Sequence, residues 1–253
     1  MILESDSRLI VTPEISIPLF SDVMPKSYLS HIAAHARNNG GDVLIGLAER
    51  TVNGSDDYYN TMFSYGSASP QRYRKHHLVP FGEFIPLKPI FGWVIQVLQI
   101  PLSDFSRGSL DQQPMDLAGQ RVAINICYED VFGEEIIYQL PQATMLVNVS
   151  NDAWFGRSIG PQQHLQISQM RALETGRYML RATNTGVTAI IDERGRVLQT
   201  IEIFTTAALH GVAQGFSGAT PYVRAGNYPV LGLAGLLLCM GLLSAFRAAR
   251  KTL

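Results

Sequence analysis

Three residue types in this chain are able to do chemistry together: a thiol, a carboxylate and an ammonium. Cys127 ends a run, residues 122–126, that is mostly apolar and partly β-branched, the pattern of a buried strand. Tyr128, Glu129 and Asp130 then break the apolar run with polar groups. In layered α/β proteins such strand ends are where sites are built. A free cysteine taken alone is more often a small buried hydrophobe than a nucleophile. Glu14 lies just past another strand-like run, residues 8–12, after Pro13. It reads either as a solvated loop acid or as a base. Lys75 lies in a basic loop, residues 72–86, that wraps an apolar Leu-Val-Pro-Phe core and ends near Glu83. A thiol becomes a useful nucleophile when a base takes its proton, which Glu14 could do if partly desolvated. Attack on an acyl carbon builds an oxyanion, which Lys75 could stabilise. Spacing alone does not bring the three together; a fold must.

The elements that would position them alternate in type. Residues 27–38 carry helical periodicity, with Leu29, Ile32, Ala33 and Ala36 on one face, Ser27 as N-cap and Gly40-Gly41 as stop. Residues 42–48 form a buried strand, Asn53-Gly54 a turn, and residues 58–66 a third strand. Residues 84–105 are apolar and punctuated by proline, too short to span a membrane, and fit a lid or interfacial segment as well as a packed helix. After the Cys127 strand come a helix at 131–140, a strand at 143–150 that ends in the polar and aromatic loop 151–156, and a helix at 162–177. Leu165, Ile167, Met170 and Leu173 supply that helix's apolar residues, and Gly176 ends it. Strands at 178–184 and 187–191 follow, and Asp192-Glu-Arg-Gly195 turns into a last strand at 196–200. This order predicts an α/β layered fold rather than an all-β one.

Composition narrows the partners. The 253 residues carry a net charge of -1, so there is no electrostatic footprint for nucleic acid. The two cysteines are not a disulfide framework, since Cys239 lies inside a long apolar run. No CxxC pair or His/Cys cluster has metal-ligand spacing, and no metal or cofactor is expected. Residues 225–246 are free of charge and long enough to span a bilayer, which needs about 20 apolar residues. Arg247, Arg250 and Lys251 follow that segment, against Arg224 alone just before it. The positive-inside rule puts the C-terminus in the cytoplasm and the preceding domain outside. The first eight residues have neither the basic nor the apolar region of a signal peptide, so the chain is expected to be the C-terminal part of something longer.

Six motifs, in order, carry a resemblance. Val11-Thr-Pro-Glu14, Lys75-His-His-Leu-Val-Pro-Phe-Gly-Glu83, Ile126-Cys-Tyr-Glu-Asp130 and Asn148-Val-Ser-Asn-Asp-Ala-Trp-Phe-Gly156 resemble the nitrilase (carbon–nitrogen hydrolase) superfamily. With Arg171-Ala-Leu-Glu-Thr-Gly-Arg177 and Arg181-Ala-Thr-Asn-Thr-Gly186 they are similar to its membrane branch, the apolipoprotein N-acyltransferases. The similarity runs from about residue 8 to residue 200.

The resemblance implies an αββα sandwich, residues 1–220, followed by one transmembrane helix, residues 225–247, and a basic cytoplasmic tail, residues 248–253. It implies a Glu14, Lys75, Cys127 triad, with Glu83 as a further active-site glutamate and Tyr128 and Glu129 flanking the nucleophile. The implied reaction is ping-pong. Cys127 takes an acyl chain from a phospholipid as a thioester, and the N-terminal amine of a diacylglyceryl-cysteine on a lipoprotein then removes it. A monomer in the bacterial inner membrane, with its catalytic domain on the outer side, goes with that reading. The departures are the spans that precede this domain in the family, its first strand and its leading helix, so an N-terminal truncation is expected. Thr12 also stands where the family often has tryptophan. Two rivals use the same residues differently. One is a hydrolase of a small amide or nitrile; the other is an inactive, membrane-tethered remnant of the fold.

Overall fold

A computed structural model of the protein describes residues 1–51, 58–87 and 104–249. In chain order the first half holds β1 (Leu9–Val11), α1 (Lys26–Asn38), β2 (Asp42–Arg50), β3 (Tyr58–Gly66) and β4 (Arg72–Arg74). The second half begins with β5 (Met115–Leu117), β6 (Gln120–Ile126), a 3-10 turn at Cys127–Val131, α2 (Gly133–Ile136) and β7 (Met145–Ser150). A 3-10 turn at Asp152–Phe155 leads to α3 (Gly160–Thr175), β8 (Met179–Thr183), β9 (Thr188–Ile191) and β10 (Val197–Ile201). The chain ends in α4 (Pro221–Ala225) and α5 (Tyr228–Ala249).

Among the described residues one sheet runs β1-β2-β3-β4 and a second runs β10-β9-β8-β7-β6-β5. Strands β6, β7 and β8 are parallel, with Ile126 beside Val149 and Ser150 beside Thr183. Their C-terminal ends therefore open on the same side, where Cys127 and Asn151 begin their loops.

Alternation along the strands sorts the layers. Val122, Ile124 and Ile126 of β6 face Leu44, Met62 and Tyr73 of the first sheet, and this apolar slab holds the two sheets together. The alternate residue Ala123 turns the other way, with Leu146 and Met179, onto Ala172 of α3. On the far side, Ile32 and Ala36 of α1 cover Val43, Ile45 and Leu47 of β2. The result is helix, sheet, sheet, helix: the expected αββα sandwich. Each fully buried aliphatic side chain contributes about 1.5–3 kcal/mol, so the three clusters dominate stability.

Some boundaries differ from those predicted. Helix α1 begins one residue before Ser27: Pro25 caps it, and the Pro25 carbonyl accepts from the amides of Tyr28 and Leu29. The expected helix at 131–140 is only the single turn α2 between 3-10 turns, because Glu129 and Asp130 are tied to separate layers and the chain must bend between them. Helix α3 is inverted in character. It buries His164, Ser168, Ala172 and Thr175, while Met170 and Leu173 are about half exposed. Its inward face is polar because the sheet beneath it is charged. The Asn53-Gly54 turn and residues 88–103 of the apolar segment lie outside the described residues.

Helix α5 leaves the sandwich. The stretch Tyr228–Ala245 is long and apolar enough to cross a membrane, and none of it is buried against the rest of the chain.

Candidate active site

Glu14, Lys75, Glu83 and Cys127 line one cavity of about 750 Å³. Each arrives from a different element. Glu14 sits on the bend after β1. There the Thr12 hydroxyl accepts from the Gly46 amide at 3.3 Å and bonds the Ser16 hydroxyl at 2.8 Å. A Cβ at Gly46 would lie 2.5 Å from the Pro13 carbonyl, so the bend requires glycine beneath it. Thr12 thus secures the Glu14 loop by hydrogen bonds where a larger ring would act by bulk. Lys75 follows β4, its amide donating to the Asn60 carbonyl on β3 at 2.8 Å. Glu83 closes a turn in which its Oε2 accepts from the Val79 amide at 2.9 Å.

The lysine is the centre of this group. Its Nζ donates to Glu83 Oε1 at 2.8 Å and to Glu14 Oε1 at 3.2 Å, and the side chain is 1% exposed. The Asn60 amide nitrogen donates to the same two oxygens, at 2.6 Å to Glu14 and 3.3 Å to Glu83. The Asn151 amide holds the other Glu14 oxygen at 2.7 Å. Burial disfavours the Lys75 charge, but Glu14, Glu83 and Cys127 outweigh it and hold its pKa well above the ordinary value. Lys75 is a fixed cation.

Cys127 starts the turn after β6 in a left-handed backbone, φ 52°. A non-glycine residue held there costs about 1–3 kcal/mol, so the surroundings must impose it. Burial, then the Glu14 charge, push the thiol up to about 12, against the pull of Lys75 and the Ser150 hydroxyl. A standing thiolate is therefore not the resting state; the thiol needs a base at the moment of attack.

The turn is clamped from both sides. Glu129 points between the sheets, where it accepts from the amides of Ile126 and His76 at 2.6 Å each, from the His77 amide at 3.1 Å and from the Tyr73 hydroxyl. Burial raises its pKa to about 7, against those amides and the Lys75 charge. Asp130 points the other way, under α3. Tyr128 lines the cavity and packs edge-on against the His77 and Phe132 rings.

Beneath α3 lies a second charged group that the sequence reading did not single out. Arg181 Nη2 donates to Asp152 Oδ2 at 3.0 Å, and its Nη1 donates to Asn148 Oδ1 at 2.6 Å and Ser168 Oγ at 2.9 Å. His164 bridges Asp152 and Asp130. Gly186 passes so close that a Cβ there would meet Asp152 Oδ2 at 1.9 Å. The signal in the sequence was a polar stripe on α3 at helical spacing, His164, Ser168 and Thr175, facing a strand that carries an arginine.

The cavity wall beyond the charges is mostly apolar, with Val79, Phe81, Val131, Trp154, Phe155 and Ile167, and Asn151 and Gln163 as polar exceptions. Among the described residues no group of histidine, cysteine and carboxylate side chains could hold a metal ion. The arrangement can take up an acyl group on sulfur, with a carboxylate for the proton and an ammonium for the oxyanion.

Comparison with known proteins identifies relatives of the chain. A family model described as carbon-nitrogen hydrolase matches residues 2–210. A protein of Nitrosomonas europaea named apolipoprotein N-acyltransferase is 73% identical over the whole chain, which covers 51% of that protein. One of the same name from Methylococcus capsulatus is 48% identical over 97% of the chain and 47% of its own length. The chain thus spans about half the length of these curated relatives. Among solved structures, a carbon-nitrogen hydrolase from Helicobacter pylori G27 superposes with a TM-score of 0.58 at 15% identity, over 79% of this chain and 78% of that one. Saccharomyces cerevisiae Nit3, a member of branch 10 of the nitrilase superfamily, gives 0.56 at 15% identity, over 78% and 73%. These two establish the fold alone, while the family match over most of the chain goes further: the protein belongs to the carbon-nitrogen hydrolase family.

Proposed function

We propose that this chain is the catalytic portion of an apolipoprotein N-acyltransferase. The observation that carries the reading is Cys127 beside Glu14 and Lys75 in a cavity whose remaining wall is mostly apolar. The names of the full-length relatives support it.

In the first half-reaction Cys127 Sγ attacks the ester carbon of a phospholipid as Glu14 takes the thiol proton. Lys75 stabilises the oxyanion. Collapse breaks the ester C–O bond, and the leaving lysophospholipid oxygen takes the proton back from Glu14. In the second, the α-amine of a diacylglyceryl-cysteine attacks the thioester and loses a proton to Glu14. The C–S bond breaks, the amide forms, and the sulfur recovers the proton. Glu83 and Asn60 keep Glu14 and Lys75 in register.

The helix α5 spans the bacterial inner membrane in this reading, with residues 248–253 in the cytoplasm and the sandwich, residues 1–220, on the outer face as a monomer. The basic residues after the helix support that orientation. A small-amide hydrolase would use the same triad, but the apolar wall suits an acyl chain better than a small polar amide.

The test is intact-mass spectrometry of the full-length membrane protein after incubation with phospholipid vesicles. The expected result is a hydroxylamine-sensitive gain of one acyl chain that is absent in Cys127→Ala and discharged by a diacylated lipopeptide. No adduct on the folded wild type overturns the reading; ammonia release from a small amide in its place favours the hydrolase.

A further inference from the structure

His164 lies at the meeting point of the cavity and the closed charge group under α3. It lines the cavity, yet its side chain is only 7% exposed. Its ring nitrogens have three oxygen neighbours. Nδ1 is 2.9 Å from Asp152 Oδ1. Nε2 is 3.1 Å from Asp130 Oδ1 and 3.3 Å from the Cys127 carbonyl oxygen. A carbonyl oxygen only accepts, and so does an ionised carboxylate. Arg181 lies within 3.4 Å of each aspartate. Burial raises the Asp152 pKa, but its hydrogen bond with His164 and the Arg181 charge outweigh it and hold that carboxyl below its ordinary value. Satisfying oxygens on both edges of one ring requires a proton on both nitrogens, which makes the ring an imidazolium.

The group then balances: His164 and Arg181 carry two positive charges, Asp130 and Asp152 two negative. The same conclusion follows from the ring's pKa. Burial lowers it, but hydrogen bonds to Asp130 and Asp152 outweigh burial and raise it to about 9. Among the described residues no other charged side chain is bonded to the ring.

We propose that His164 is a positioning residue, a constant imidazolium that holds the Cys127 carbonyl and so fixes the left-handed turn from which the thiol meets Glu14 and Lys75. The Cys127 carbonyl has two donors, Nε2 of His164 and the Asn148 amide at 3.2 Å. Asp130, three residues along the same turn, is pinned through Ser168 at 2.6 Å. The strained φ of Cys127 is therefore set by groups other than Glu14 and Lys75, which do the chemistry. The ring does not act as the base: both its protons are committed, and Glu14 remains the proton acceptor. The inference rests on Cys127 being the nucleophile.

Two variants and one spectrum test it in the full-length membrane protein. His164→Leu removes the donor, and His164→Leu with Asp152→Asn removes it while restoring charge balance. The double variant is expected to regain the melting temperature that the single one loses. Its acyl adduct should still form about a hundredfold more slowly, at unchanged apparent affinity for phospholipid, since a small misplacement of a nucleophile costs that much. Recovery of the rate together with stability would overturn the proposal, because the ring would then be a structural filler. Wild-type protein with ¹⁵N-labelled histidine should show one ring doubly protonated at about pH 8, where an ordinary histidine is neutral, and the double variant should lack that signal. A wild type in which no ring stays doubly protonated also overturns it. If the wild type forms no acyl adduct, the proposed function fails instead, and the spectrum still decides the state of His164.

Discussion

Two groups of buried charge meet at Cys127, one on each side of its turn, and they differ in balance and in access. The group made of Glu14, Lys75 and Glu83 has one cation for two carboxylates and opens to the cavity. The group made of Asp130, Asp152, His164 and Arg181 is neutral overall, and three of its four side chains are sealed, His164 alone reaching the cavity. An unbalanced, accessible group is poised to accept a proton or face a developing charge. A balanced, closed one has nothing left to give a substrate and serves to hold the chain in place. The contrast separates the chemistry from its support within a few ångströms.

The largest effect comes from breaking the closed group. Arg181→Met leaves two buried aspartates facing one imidazolium. Removing one partner of a buried ion pair costs about 3–5 kcal/mol, a large share of a typical domain's stability. The melting temperature should fall steeply, and any folded fraction should acylate Cys127 slowly. A variant that melts like the wild type would mean the group contributes no net stability.

A comparable loss, now in rate, follows from Glu14→Gln, and it sharpens the open side. Loss of a general base lowers a rate by about 10²–10⁴-fold. The thiol, however, moves the other way. The Glu14 charge is one of the causes that push Cys127 up to about 12, so removing it lowers the thiol pKa and raises the thiolate fraction at any pH below that value. Alkylation of Cys127 by iodoacetamide should speed up while acyl transfer collapses, and the alkylation midpoint should shift to lower pH. If both rates fall together, Glu14 supports the site without taking the proton.

The sequence made one of these groups visible and hid the other, for a physical reason. Glu14 and Cys127 fall at or just after the ends of apolar strand-like runs, which is a local signal, and Lys75 stands in the basic Arg72-Tyr-Arg-Lys-His-His stretch ahead of an apolar core. The sheets and the layers were legible too, since β2, β6 and β7 are continuous apolar strands. Asp130, Asp152, His164 and Arg181 sit on four different elements and become a unit only when β6, β7 and β8 pair in register and α3 covers them. Asn60 was missed similarly: on an alternating strand it reads as an outward polar residue, and only the folded sheet brings its side chain onto Glu14 and Glu83. The buried face of α3 was not legible either, because a charged sheet face asks for a polar helix face, and no property of the helix alone announces that.

Glu129 belongs to neither group, and it gives the smallest and cleanest test of the contrast. It is buried like Asp130, its neighbour, but among the described residues no cation is bonded to it; backbone amides and the Tyr73 hydroxyl are its partners. The amides and the nearby Lys75 charge soften the burial penalty without cancelling it, and its pKa rises from 4.5 to about 7. The folded protein therefore favours the protonated acid more than the unfolded chain does. The associated stability is complete below the unfolded value of 4.5 and is lost as the pH rises through about 7. A shift of that size corresponds to about 3 kcal/mol. Denaturant melts of wild type and Glu129→Gln should differ by that amount in their change between pH 4.5 and neutrality, since the glutamine does not titrate. Its extra N–H also opposes the Ile126 and His76 amides, so the variant should be the less stable protein at low pH, with the gap narrowing as pH rises. A gap that widens with pH would mean that the amide donors stabilise the carboxylate outright. Glu129 would then be a third way of holding the Cys127 turn, without a directly bonded cation.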